Sequence, residues 1–238
     1  MIQYYDKITR GSEHEDMLVI FQFFKTMVGK RFTFLNYYKE IPVSYDATLI
    51  NVENNMAEFD VHEYQAKAIT LEDRKVLIHS HEKSPFREDV IGEAFYVNIA
   101  KKKVVICNFG YAKINSEMRK FVRVMLDKPV AIQLTLESTV VSGFIKDISL
   151  GGSAISIMSN DFLSPGMTLD AVLKLPDSNS GSINQVGLTA TVVRIIGEEA
   201  PFICLLEFRP EKHSQQQISY YINLRQVEII KELKELVI

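Results

Sequence analysis

The sequence predicts a mainly β protein: two small antiparallel β-barrel domains, with one helix near the N-terminus and one at the C-terminus. Three observations predict it. Short β-prone runs recur from Arg31 to Phe208 with turn residues between them, the pattern of all-β domains. Apolar residues at helical spacing occur only near the two ends of the chain. A linker-like stretch, 110–116, divides the runs into two sets. The domains expected are 1–113 and 114–238.

The N-terminal helix is expected between Ser12 and Gly29. Ser12 with Glu15 reads as a capping box, and Gly29 as a stop. Met17, Ile20, Phe21, Phe24 and Val28 form its apolar face, and Glu13, Glu15 and Asp16 its polar one. That face is acidic, which favours burial against a domain over a membrane surface. Strands follow at 31–35, 47–52, 56–61, 76–78, 94–99 and 104–109, with Glu53-Asn54-Asn55 as a hairpin turn. Lys101-Lys102-Lys103 reads as another turn. His79 and His81 share one strand face, but no third metal ligand has usable spacing, so both read as solvent-exposed.

In the second half, Val130, Ile132, Leu134 and Leu136 face one way and their neighbours the other. Glu137-Ser138 turns the chain into 140–148, and 153–158 runs back. Ser164-Pro165-Gly166 is a turn before Leu169, Ala171, Leu173 and Leu175. A polar loop at 176–182 and strands 185–195 and 202–208 complete six strands. Closing them into a barrel removes exposed edges. The stretch 211–237 is helical, with Ile218, Tyr221, Ile222, Val227, Ile230, Leu233 and Leu236 as its stripe. This stripe is expected to pack against the barrel; the alternating charges of the later part, Glu228, Lys231, Glu232, Lys234 and Glu235, offer as an alternative a short coiled coil with a second chain, a homodimer.

Composition narrows the function. Hydrophobic content of 47% and charged content of 24% are ordinary for a globular protein. A net charge of -3 gives no broad footprint for a nucleic acid polymer, so a nucleotide site has to be local. Cys107 and Cys204 lie on apolar runs without metal spacing, which predicts buried reduced thiols in a cytoplasmic protein. The first residues lack the pattern of a signal peptide. No apolar run approaches the ~20 residues of a membrane span. GxSxG, GxGxxG and Walker patterns are all missing from the sequence.

The chemistry concentrates between Arg119 and Gly152. Arg119 and Arg123 stand four apart with Lys120 between them, and Asp147-Ile148-Ser149-Leu150-Gly151-Gly152 follows. Guanidinium forks match phosphate oxygens and the O6/N7 edge of guanine, and they stack on bases. An aspartate accepts from guanine N1–H and N2–H₂, a serine adds a hydroxyl, and glycines let backbone approach a ligand. A small guanine nucleotide with several phosphates satisfies both halves.

The ordered pair Arg-x-x-x-Arg and Asp-x-Ser-x-x-Gly resembles the PilZ domain, a bacterial receptor for cyclic di-GMP. The resemblance runs from Arg119 to the C-terminal helix. The first half resembles, in order and texture, the N-terminal domain of flagellar-brake-type (YcgR-like) proteins. The resemblance implies a non-catalytic cytoplasmic receptor with cyclic di-GMP as ligand and no cofactor. Its ligand-binding residues would be Arg119, Lys120, Arg123, Asp147, Ser149, Gly151 and Gly152. Ligand binding would change the arrangement of the domains. The output would be a protein partner, in the flagellar motor or surface-attachment machinery. PilZ proteins often carry another arginine just before the first motif arginine; here it is Met118, which implies one ligand molecule per chain rather than two. Three alternatives stand beside this reading. The first is a flavin-binding split-barrel enzyme, which would be yellow. The second is a cyclic di-GMP-responsive DNA-binding regulator, against which the net charge counts. The third is an adaptor that has lost nucleotide binding, against which the intact motif counts.

Overall fold

The computed structural model describes residues 4–80, 86, 88–115, 119–177 and 181–236. It divides into two compact units. One comprises residues 1–119 with 230–238, the other 120–229.

The first unit is built on β1 (Tyr5–Ile8), α1 (Glu13–Lys25), β2 (Arg31–Tyr38), β3 (Ile41–Glu53), β4 (Met56–Asp60), α2 (Glu63–Leu71), β5 (Lys75–His79), β6 (Asp89–Asn98) and β7 (Lys103–Ile114). Strands β7-β4-β3-β2-β5-β6 form a ring that closes through the β6–β7 pair, and β1 adds to the outside of β7. Helix α1 plugs the core. Phe24 is fully buried, with ring centroids of Phe32, Phe59, Phe86 and Phe109 between 5.0 and 5.7 Å away. Edge-to-face packing of this kind adds to the burial of apolar area.

The second unit carries β8 (Arg123–Leu136), β9 (Thr139–Ser149), β10 (Gly152–Ile157), β11 (Thr168–Pro176), β12 (Ile183–Ile196), β13 (Phe202–Arg209) and most of α3 (Lys212–Glu235). Its six strands close in the order β10-β13-β12-β11-β8-β9. Val130, Ile132 and Leu134 of β8 and Leu169, Ala171, Leu173 and Leu175 of β11 are buried, as their alternation predicts. Two barrels with helices near both ends match the fold class expected.

Several local expectations need correction. Ser12 does cap α1, accepting from the Glu15 N–H, but the helix stops at Lys25. Thr26 ends it, with its N–H and hydroxyl both returned to the Phe23 carbonyl. Gly29, in the left-handed region at φ 84°, instead gives its N–H to Leu49 of β3. Val28 therefore lies beyond the helix and is exposed. Asp16 is buried, because its carboxylate accepts the N–H groups of Arg10 and Gly11. Strand β1 and helix α2 had no strong signal: four residues are too few for alternation, and α2 is short, with Gln65 and Lys67 buried on it.

The expected linker is largely strand. Residues 110–114 finish β7, held between β1 and β6. His79 is half-buried beside Asp89, with Nδ1 3.0 Å from Oδ1, rather than solvent-exposed; His81 lies outside the described residues. Cys204 is buried but Cys107 only partly so. On α3 the buried line is Ser214, Ile218, Ile222, Arg225, Ile229 and Leu233, while Val227 and Ile230 are exposed. Steps of three and four remain, but two polar residues occupy the inner line, where each meets backbone carbonyls. Ser214 Oγ donates to the Gly187 carbonyl at 2.6 Å, and Arg225 Nε to that of Met125 at 3.1 Å.

Candidate functional site

The site in the second unit is made by the pairing of β8 with β9. A tight turn with Glu137 at φ 53° joins them, so Leu136 pairs with Thr139. Four residues of β8, 126–129, are then opposed by one of β9, Lys146. A bulge of this size bends and twists a strand. Beyond it the pairing resumes as Met125 with Asp147, Val124 with Ile148, and Arg123 with Ser149. Arg123 and the Asp-x-Ser segment, 24 positions apart along the chain, thus end on one patch.

The strand expected at 140–148 runs on to Ser149, so Asp147 and Ser149 both lie on β9, and only Leu150 and Gly151 form the turn into β10. Asp147 is buried. Its Oδ1 accepts the Ala154 N–H at 3.1 Å and stands 3.7 Å from Arg123 Nε. Its carbonyl accepts the Ser153 hydroxyl at 2.7 Å. Ser149 Oγ donates to the Gly152 carbonyl at 3.1 Å. The carboxylate and hydroxyl therefore fix the β9–β10 turn while holding a guanidinium that is one-third exposed.

The glycines have separate causes. A Cβ on Gly152 would lie 2.1 Å from the Leu206 carbonyl oxygen, so β10 approaches β13 too closely for any side chain. A Cβ on Gly151 would meet the Phe121 ring at 2.9 Å. Phe121 and Lys120 are exposed, with the ammonium 5.5 Å from the ring centroid. Sequence reasoning missed Phe121, although an aromatic between two motif cations was a signal for it.

Arg119 belongs to the first unit. Its Nη1 is 2.6 Å from Glu40 Oε2, in the β2–β3 turn. Met118 lies outside the described residues. Glu40 was also missed, since Lys39-Glu40 carries no turn or motif signal. Among the described residues no group of His, Cys, Asp and Glu could hold a metal ion, and no helix is long and apolar enough to cross a membrane.

Residues 117–224 match the family model of the PilZ domain. This segment is a PilZ domain. No curated protein matches the chain. Among solved structures, the Bacillus subtilis inhibitor of motility (MotI/DgrA) is similar at 18% identity and TM-score 0.45, over 84% of this chain and 97% of that one. Escherichia coli YcgR in complex with c-di-GMP gives 11% identity and TM-score 0.43, over 95% and 99%. MrkH of K. pneumonia in its apo state gives 16% and 0.41, over 95% and 100%.

Proposed function

We propose that the chain is a non-catalytic receptor for cyclic di-GMP that passes ligand occupancy to a protein partner. The observation that carries this is the patch on the PilZ domain where Arg123, Asp147 and Ser149 converge. Arg123 offers a guanidinium already aimed by a buried carboxylate, with its remaining donors available for a phosphate or a guanine O6/N7 edge. Asp147, itself buried, orients that guanidinium from behind. Gly151 and Gly152 let the Phe121 ring and the Leu206 carbonyl pack directly on the turn beside this patch. Lys120 and Arg119 supply the further positive charge that a ligand with two phosphates requires.

Arg119 is the last residue of its segment of the first unit and Arg123 belongs to the second, and ligand binding is proposed to change the arrangement of the domains. The ligand does so only to the extent that it binds one arrangement better than the other. A partner in motility or surface attachment fits such an output, and the site is proposed to act in the cytoplasm. Calorimetric titration of the whole chain with cyclic di-GMP, with GMP and GTP as controls, tests the reading. Saturable binding of cyclic di-GMP alone is expected; equal binding of all three, or of none, overturns it.

A further inference from the structure

The first motif arginine is already engaged. Arg119 donates to Glu40 Oε2 at 2.6 Å, and the Tyr4 hydroxyl donates to Glu40 Oε1 at 2.8 Å. The Arg119 guanidinium lies over the Tyr4 ring, 5.4 Å from its centroid, and Tyr4 stacks on Tyr37 at 4.1 Å. The Glu40 side chain is 1% exposed. A carboxylate so far from water is tolerated only with a cation and hydrogen bonds to match, and here the cation is the arginine of the ligand motif.

The turn that carries Glu40 argues that this contact is built rather than incidental. Two hairpins of this unit have two-residue turns with both φ angles positive: Lys39-Glu40, at 49° and 72°, and Asn54-Asn55, at 50° and 58°. Such turns favour Asn, Asp and Gly, which adopt positive φ most easily. The second hairpin follows that preference. The first places a lysine and a glutamate there and buries the glutamate. The residue unsuited to the turn is the one whose side chain reaches Arg119.

We propose that Glu40 is an internal competitor for the ligand: it holds Arg119 where a phosphate would, and cyclic di-GMP completes its site by taking the guanidinium from this carboxylate. The inference rests on the receptor reading. A phosphate offers the same paired acceptors as a carboxylate, so the exchange keeps Arg119 satisfied. Glu40 is left buried with the Tyr4 hydroxyl alone, and that cost is subtracted from ligand affinity. The strain then falls on the 39–40 turn. The same turn gives its Lys39 N–H to Glu72 at 3.2 Å and the Lys39 ammonium to Glu232 at 2.5 Å. Ligand occupancy is thereby written into this hairpin of the first unit.

The test is calorimetric titration of cyclic di-GMP into the full chain and its Glu40→Gln and Glu40→Asp variants, with melting curves to verify folding. Glutamine keeps the shape and removes the charge, so binding should tighten roughly tenfold, the worth of one charge-assisted hydrogen bond that no longer has to be broken. Aspartate suits positive φ but withdraws the carboxylate by one methylene, so a smaller tightening is expected; it decides the matter if Glu40→Gln fails to fold. In an Arg119→Ala background Glu40→Gln should change nothing. Unchanged or weaker binding by the folded variants, with wild type still binding, overturns the competitor and leaves the receptor standing. Binding by neither wild type nor variants overturns both, whereas binding by Glu40→Gln alone supports both.

Discussion

Arg123 and Ser149 are direct partners across β8 and β9, and the buried Asp147 two residues earlier holds its Oδ1 3.7 Å from the Arg123 Nε. The three residues therefore divide the work. Arg123 is exposed enough to meet a ligand, while Asp147 and Ser149 spend their hydrogen bonds on the turn. Arg123→Ala should weaken cyclic di-GMP binding roughly 10- to 100-fold, from about 1.5–3 kcal/mol per charge-assisted hydrogen bond. Its melting curve should stay that of wild type. Asp147→Ala should lower both affinity and stability, the latter by about 1–3 kcal/mol for the orphaned Ala154 N–H. Calorimetry and urea unfolding on the same samples separate the two effects.

The two glycines of the motif should fail differently. Gly152→Ala drives a Cβ against the Leu206 carbonyl, which belongs to a strand and cannot retreat cheaply. A loss of about 3 kcal/mol is expected, at the upper end for overpacking. Gly151→Ala meets only the ring of Phe121, an exposed side chain that can swing aside. Its stability should change little, and any effect should appear in ligand binding. Equal destabilisation of both variants in urea would mean that Phe121 is fixed.

What the sequence revealed follows from how far each signal reaches. Alternation over β8 and β11 spans enough residues to identify strands and their inner face, and the helical spacing around Phe24 was equally clear. The Arg and Asp-x-Ser-x-x-Gly motifs were legible because their residue types are chemically distinctive. The bulge at 126–129, which aligns Arg123 with Ser149, was not, because a register shift leaves no local pattern. Nor was Glu40, whose role depends on Arg119, a residue 79 positions away in the chain. Val227 and Ile230 misled the stripe of α3 because Ser214 and Arg225 occupy the inner positions that apolar residues usually hold.

Alkaline pH should destabilise the chain in a defined window. Burial pushes the Cys204 thiol from its ordinary 9.0 up to about 11, and the Tyr221 phenol from 10.0 up to about 12. Both folded-state values are raised, so the stability tied to these groups is intact below their unfolded values. It is lost as pH rises from about 9 through 12, where the unfolded chain releases protons that the folded one retains. Melting temperature against pH should fall across that window. Cys204→Ala should make the slope between about pH 9 and 11 shallower, leaving the share of Tyr221 and of the Cys107, Tyr111 and Tyr4 groups that burial also raises. A slope identical to wild type would deny the thiol its share.

Stoichiometry tests the position before the motif. Methionine at 118 brings no charge and no donor, only polarizable surface. Two stacked cyclic di-GMP molecules would carry four negative charges with less compensation than a third arginine would give. One molecule per chain is expected in calorimetry, and Met118→Arg should move the count toward two. Two molecules on wild type would overturn this and point to Lys120, or a lysine of the N-terminal domain, as the compensating cation.

Arg225 should couple the helix to the site. It is nearly buried on α3, with Nε on the Met125 carbonyl at 3.1 Å, Nη2 on Asp127 and Nη1 on Glu228 at 3.1 Å. Met125 and Asp127 are at the edge of the bulge and inside it, two and four residues after Arg123. One planar fork thus pins the irregular segment that sets the register of the ligand patch. Asp127 and Glu228 are nearly half-exposed, so their ion pairs contribute little once screened by water. The buried contact with Met125 remains, and Arg225→Ala should cost about 1–3 kcal/mol in urea unfolding. Arg225→Lys should recover only part of this, because an ammonium lacks the fork geometry. If the bulge positions Arg123, Arg225→Ala should also weaken cyclic di-GMP binding, by less than Arg123→Ala does. Reduced stability with unchanged affinity would show that the β8–β9 pairing holds Arg123 without help from α3.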